Sequence, residues 1–243
     1  MKTLLIIQAR MGSSRLPGKV LKDLQGKPML ERVVERVARS TRVHEMVVIT
    51  SRNPEDQPVA SFCQDKGISC FRGSEEDVLD RFYQAAKEFK ADAAVRITGD
   101  CPLIDPQVVD ELVKLFLEKT PDYASNFLVR TFPRGLDAEI MTYTCLETAW
   151  KEAKTAYCRA HVTPYIYENP NRFHLEGLCN EKNYSDHRWT VDTVEDLNFV
   201  RSVYRCMGSD SFFSWQSVLD LIEREPALKA INAKVQQKEI HEG

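Results

Sequence analysis

A chain of 243 residues with 43% hydrophobic and 28% charged residues and a formal net charge of −3 has an ordinary globular composition, within the size range of a single α/β domain. The balance argues against a broad basic surface for nucleic acid or membrane, so any anion site must be local. Seven scattered cysteines without a C-x-x-C pair exclude a zinc or dithiol motif and lead to the expectation of reduced thiols in a cytoplasmic protein.

The first predicted element is residues 4–7, Leu-Leu-Ile-Ile, a continuous apolar run as expected of a central parallel strand covered on both faces. It is far shorter than a signal-peptide core or a membrane span. Residues 46–50 and 93–98 repeat the pattern, and 68–71 form a weaker edge candidate. Between them, residues 28–39 place Met29, Val33, Val34 and Val37 on one helical face, and residues 76–89 do the same with Leu79, Phe82, Tyr83 and Ala86. Strand alternating with helix predicts an α/β fold with a mostly parallel, Rossmann-like sheet and flanking helices. After residue 121 the alternation loosens into extended pieces at 123–127, 138–141 and 172–178, with helices near 145–154 and 161–167. Helices at 194–206 and 215–223 close the chain, and the polar stretch from Lys234 is expected to fray.

The first strand runs into QARMGSSRLPGKV, residues 8–20. Gly12, Gly18, Ser13 and Ser14 let several backbone N–H groups face one point, and Arg10, Arg15 and Lys19 bring cations to it, which is how phosphates are cradled. The spacing is not that of a Walker loop, since five residues separate the glycines and Val20 follows the lysine, and G-x-G-x-x-G is absent. A solvated basic turn is the plainer alternative. Against it stands the position, because ligands of parallel sheets bind beyond the carboxyl ends of the strands.

A triphosphate would need a divalent cation, and magnesium takes oxygen ligands, typically one or two carboxylates. Asp100, in ITGDCPLID, and Asp192, in WTVDTVEDL, both follow extended runs. Read singly, Asp100 is a turn residue and Asp192 part of a helix start; read with the basic loop, they form a shared magnesium site. Asp105, Glu195 and Asp196 are expected to cap helices or lie at the surface. Two carboxylates facing each other without metal repel, so replacing one is expected to leave the fold intact or strengthen it.

These motifs, QARMGSSRLPGKVL with GKPMLERV, ITGDCPLI and WTVDTVEDL, resemble the cytidylyltransferases that activate acidic sugars, the acylneuraminate and 3-deoxy-manno-octulosonate enzymes. The middle segments RTFPRGLDAEI and CRAHVTPYIYENP look most like the spore-coat polysaccharide SpsF-type members. The resemblance implies a CTP- and Mg2+-dependent enzyme that transfers CMP to an acidic small-molecule acceptor with release of pyrophosphate, and a homodimer. It implies a single domain, 1–243, with a nucleotide-binding half (1–120), an inserted substrate-binding and dimerisation part (121–185) and a return to the core (186–243).

It further implies that Ala9, Arg10, Met11, Gly12, Ser13, Arg15, Lys19 and Thr98 hold the nucleotide. Lys19 and Arg15 would act on its phosphates, and Asp100 and Asp192 would hold the metal. The segment RGSEEDVLDR offers Ser74, Asp77 and Arg81 to the base, although Ser74 with Asp77 is also an ordinary capping pattern. For the acceptor, Arg134, Asp137 and Glu139 alternate as in a strand, and Arg159, His161 and Arg188 are candidate carboxylate partners. A glycosyltransferase would carry D-x-D, which Asp100-Cys101-Pro102 lacks; a non-enzymatic nucleotide-binding regulator and a non-sugar phosphonate or phosphate acceptor are the remaining alternatives. The aromatic residues Tyr165, Tyr167 and Phe173 are expected to be exposed at the dimer surface.

Overall fold

A computed structural model describes residues 1–208 and 212–237 of the chain. The first half alternates as the apolar runs dictate: β1 (Thr3–Gln8), α1 (Met29–Val37), β2 (Glu45–Ser51), α2 (Gln57–Asp65), β3 (Cys70–Gly73), α3 (Val78–Glu88), β4 (Ala93–Thr98) and α4 (Pro106–Lys119). The four strands are parallel, in the order β3-β2-β1-β4. β1 is covered on both sides, Leu5 and Ile7 joining one apolar cluster and Leu4 and Ile6 the other. All four are fully buried, each contributing about 1.5–3 kcal/mol.

The second half adds β5 (Tyr123–Ser125), β6 (Glu139–Thr142), α5 (Tyr143–Glu152), α6 (Ala156–His161), α7 (Pro164–Tyr167), β7 (Leu175–Gly177), α8 (Val194–Met207), α9 (Trp215–Arg224) and α10 (Ala227–Ala230). β6 runs antiparallel between β4 and β5, and β7 pairs parallel with β5, so the described residues share one seven-stranded sheet, β3-β2-β1-β4-β6-β5-β7. A third apolar cluster, which includes Trp189, Phe199 and Trp215, packs α8 and α9 against Leu16 of the opening loop and against Leu24 beyond it.

The structure departs from the sequence reading in particular places. Of the helix expected at 161–167 only α7 forms, from Pro164; Val162, at φ 75, follows the end of a separate helix, α6, that was not expected and ends at His161. α2 and α4 were not expected. α4 is signalled by Asp105 and Pro106, which cap and begin it, and by Val108, Val109, Leu112, Val113 and Phe116 at helical spacing. Tyr165 and Tyr167 are half-buried against the second cluster and Phe173 is buried within it, so they are not the exposed aromatic set expected, and the homodimer expectation keeps only the resemblance behind it. Of the polar end from Lys234, residues 238–243 lie outside the described residues. The seven cysteines are free thiols.

Candidate active site

Three connections assemble the site. Parallel pairing sets Gln8 level with Thr98, so the loop after β1 and the turn holding Asp100 leave the sheet side by side. The Val191 N–H donates to the carbonyl of Asp100 at 2.9 Å, bringing the late aspartate to the early one. Gly135 then locks the segment 187–190 in place: its neighbour Arg134 exchanges backbone bonds with His187 (3.0 Å) and Trp189 (2.7 Å). At φ 108, a Cβ on Gly135 would stand 2.5 Å from the nitrogen of Thr190. Gly135→Ala is therefore expected to destabilise the fold by at least about 2 kcal/mol, read as a lower urea midpoint.

The opening loop is not a solvated turn. Leu16 and Val20 are buried, and the Met11 N–H donates to Asp56 Oδ1 at 2.6 Å. The backbone N–H groups of Gly12, Ser13, Ser14 and Arg15 have no hydrogen-bond partner among the described residues, and these residues line a hollow of about 550 Å³ with Arg10 and Lys19. Four free N–H groups beside cations make an anion cradle.

Lys19 lies between the two carboxylates. Its Nζ donates to Asp100 Oδ2 at 2.6 Å, to Asp192 Oδ1 at 2.8 Å and to the carbonyl of Val191 at 3.0 Å. An ammonium has three donors, and all three are used. Burial opposes the Lys19 charge, but Asp100 and Asp192 outweigh it and hold the group above the usual lysine range. Burial likewise opposes the Asp100 charge, and Lys19 holds that carboxyl below the usual carboxylate range. Asp192 also receives Arg188 Nη2 at 2.6 Å and Arg15 Nη2 at 3.2 Å. It is not the helix cap: Thr193 caps α8 in a reciprocal box with Asp196, leaving Asp192 to the cations. Asp105 does cap α4.

A second hollow, of about 310 Å³, adjoins the first through Thr98, Asp100 and Asp192. Arg96, Arg134, Asp137, His161 and Tyr167 line it. Asp137 is paired with Arg130 at 2.5 Å. Glu139 takes no place in its lining; it is buried behind it, paired with Arg96 and accepting from Tyr123 Oη at 2.8 Å.

Arg188 holds Asp192 and Asp196, so it orients the site's own carboxylate. Arg159 donates through Nε to Asp77 at 2.9 Å and through Nη1 to the carbonyl of Trp150 at 2.6 Å. Asp77 caps α3, and Ser74 Oγ accepts from its N–H at 3.1 Å, the ordinary capping arrangement. Ser74 borders a separate hollow with Arg52 and Asn53. Sequence reasoning passed over Arg96, although a charge within the buried run AAVRIT, two residues before Thr98 and so on its face of the strand, was a usable signal. Asp56 carried no such signal, acting from 45 residues beyond the N–H that it holds.

A mostly parallel sheet with an anion cradle after its first strand and a carboxylate pair at the same edge defines a nucleotidyltransferase. The chain belongs to the cytidylyltransferase family, whose sequence pattern matches residues 4–240, and is a CTP-dependent nucleotidyltransferase. It is 39% identical over its whole length to an uncharacterized protein of Methanocaldococcus jannaschii, covering 99% of it. To the spore coat polysaccharide biosynthesis protein SpsF of Bacillus subtilis it is 32% identical, over 92% of this chain and 95% of that one. A 3-deoxy-manno-octulosonate cytidylyltransferase of Trichlorobacter lovleyi matches at 37% identity over 48% of this chain and 46% of its own. The structure of a cytidylyltransferase from Leptospira borgpetersenii superposes with a TM-score of 0.89 at 34% identity, over 98% of this chain and all of that one. No helix among the described residues is long and apolar enough to cross a membrane.

Proposed function

We propose that the protein activates an acidic sugar as its CMP derivative for cell-surface polysaccharide synthesis. The observation that carries the reading is the meeting of two hollows at Asp100 and Asp192, one built for phosphates and the other lined by Arg96 and Arg134. The names of the SpsF and octulosonate relatives support the choice of sugar.

An acceptor hydroxyl in the second hollow attacks the α-phosphorus in line. The new P–O bond forms as the bond from the α-phosphorus to the oxygen bridging it to the β-phosphate breaks; the hydroxyl proton passes to solvent, and pyrophosphate leaves. The free N–H groups of residues 12–15, with Arg10, hold the departing phosphates. Arg188 fixes Asp192.

The donor set fits magnesium: two carboxylates, both hard oxygen donors, already gather one cation between them in Lys19. Asp100 and Asp192 would hold the ion, and bound there it would neutralise phosphate charge and lower the pKa of the acceptor hydroxyl. Lys19 has no donor left for phosphate while it bridges the carboxylates, so it must leave them to engage the nucleotide.

The test is pyrophosphate release with CTP, magnesium and a panel of sugars. Release that requires a carboxylated sugar, with a CMP-sugar as product, is expected. Equal release with neutral sugars, or none with any acid, would overturn the assignment of the acceptor.

A further inference from the structure

The polar end of the chain is tied down where it crosses the site. Past α10, Asn232 is 5% exposed, and its Nδ2 donates to the carbonyl of Arg188 at 2.9 Å and to Asp196 Oδ1 at 3.0 Å. The Val235 N–H donates to the Asn232 carbonyl at 3.0 Å, closing a turn. The two residues that follow reach the arginines of the site: the carbonyl of Gln236 accepts from Arg15 Nη1 at 3.5 Å, and Gln237 Oε1 accepts from Arg188 Nη1. Arg15 and Arg188 are both paired with Asp192. A polar chain end is ordered only where something holds it, and here the site itself does.

The tie exceeds what Arg188 needs. That guanidinium already donates through Nε to Asp196 and through Nη2 to Asp192 and Asp196, so its charge is matched without the amide. What the amide contact does is hold the exposed Gln237 side chain in the lining of the second hollow, together with Arg134 and Asp192. Asp100, Asp137 and Asp192 also line that hollow, so an acidic acceptor must enter past three carboxylates. A primary amide brings two N–H donors there and no negative charge. With its oxygen on a guanidinium, the same amide is polarised and its N–H groups become stronger donors.

We propose that Gln237 is a specificity-determining residue of the acceptor hollow, its amide N–H donating to the carboxylate of the acceptor while its oxygen stays on Arg188. The inference rests on the reading of the second hollow as the acceptor site. Asn232 acts through Arg188 and Asp196, as a positioning residue that seats the segment. The C-terminal segment is thus part of the active site, although it follows Asp192 by 45 residues in the chain.

The experiment measures CMP transfer by the full chain to 3-deoxy-manno-octulosonate, N-acetylneuraminate and glucuronate, with CTP binding followed separately by calorimetry. Gln237→Ala is expected to raise the KM of the acid that is used by about 3- to 10-fold, the worth of one hydrogen bond, with CTP affinity and the urea midpoint unchanged. Gln237→Glu is the decisive variant. A carboxylate pairs with Arg188 more tightly than an amide does, so a segment that only braced Arg188 would keep or gain activity on this change. A residue that faces the acceptor carboxylate instead sets like charge against like, and acceptor KM is expected to rise by about 10-fold or more, again with CTP affinity unchanged. Transfer by Gln237→Glu at or above the unmodified level overturns the proposal, as does an unchanged acceptor KM in both variants. Transfer to none of these acids by unmodified protein that binds CTP overturns the acceptor reading itself, and this inference with it.

Discussion

Asp100→Asn is expected to reduce CMP transfer at least about 100-fold, because the amide removes the charge that would hold a hard cation beside the reacting phosphate. The change keeps the shape of the side chain, so lost packing does not account for the effect. Stability is expected to fall as well, contrary to the relief expected from two repelling carboxylates, because the structure places Lys19 between them. The sign follows from the titration of Asp100, held below the usual carboxylate range by Lys19 against the opposing effect of burial. A carboxylate with a depressed folded-state pKa binds fewer protons folded than unfolded, so its stabilisation is present above the unfolded value of about 3.9 and is lost as pH falls through the folded value. Urea unfolding of both proteins should show a gap near neutrality that closes on acidification. A constant gap, or a more stable variant at neutral pH, would overturn the bridging role of Lys19.

Lys19→Met is expected to have an effect of similar size by a different route. CTP affinity and turnover should both drop, by about 100-fold or more in kcat/KM, as a charge-assisted phosphate contact is lost. In the nucleotide-free protein the same change exposes Asp100 and Asp192 to each other without their shared ammonium. Manganese, followed by its paramagnetic resonance with no substrate present, is expected to bind this variant at least about tenfold more tightly than the unmodified protein, because a carboxylate pair freed of its competing cation is a better oxygen site. Unchanged manganese binding would show that the lysine and the metal do not compete for one place.

The parts of the site legible in the sequence are those coded locally. Gln8 to Lys19 is one loop on one strand, and Asp100 and Asp192 each follow an apolar run, so residue type and position suffice to single them out. What could not be read depends on pairings made across the chain. That Lys19 spends its donors on two carboxylates 81 and 173 residues away follows from the packing of the segment 187–192 on the turn after β4. Glu139 looked like a sugar ligand because alternation puts it on one face with Asp137; the antiparallel entry of β6 sets it opposite Arg96 and buries the carboxylate. The break at Val162 was illegible for a local reason: a β-branched residue at positive φ contradicts its own propensity, and only the surrounding fold holds it there. Arg159 and Asp77 were assigned to acceptor and base, yet they satisfy one another, a choice that no single-residue reasoning weighs.

The antiparallel strand β6 bears on how the enzyme selects its substrate. Arg96 lies directly opposite Glu139 in a ladder of four residue pairs, so the strand that leads to Asp100 and contributes Arg96 and Thr98 to the second hollow is stitched to the antiparallel strand behind it. A hinge between the halves would have to tear that ladder. Closure around the two substrates is therefore left to loops and side chains, and the acceptor meets a cleft whose shape is set before it arrives. Such preorganisation spares the ordering cost of binding and favours acceptors of one fixed shape and charge over a range of adaptable ones.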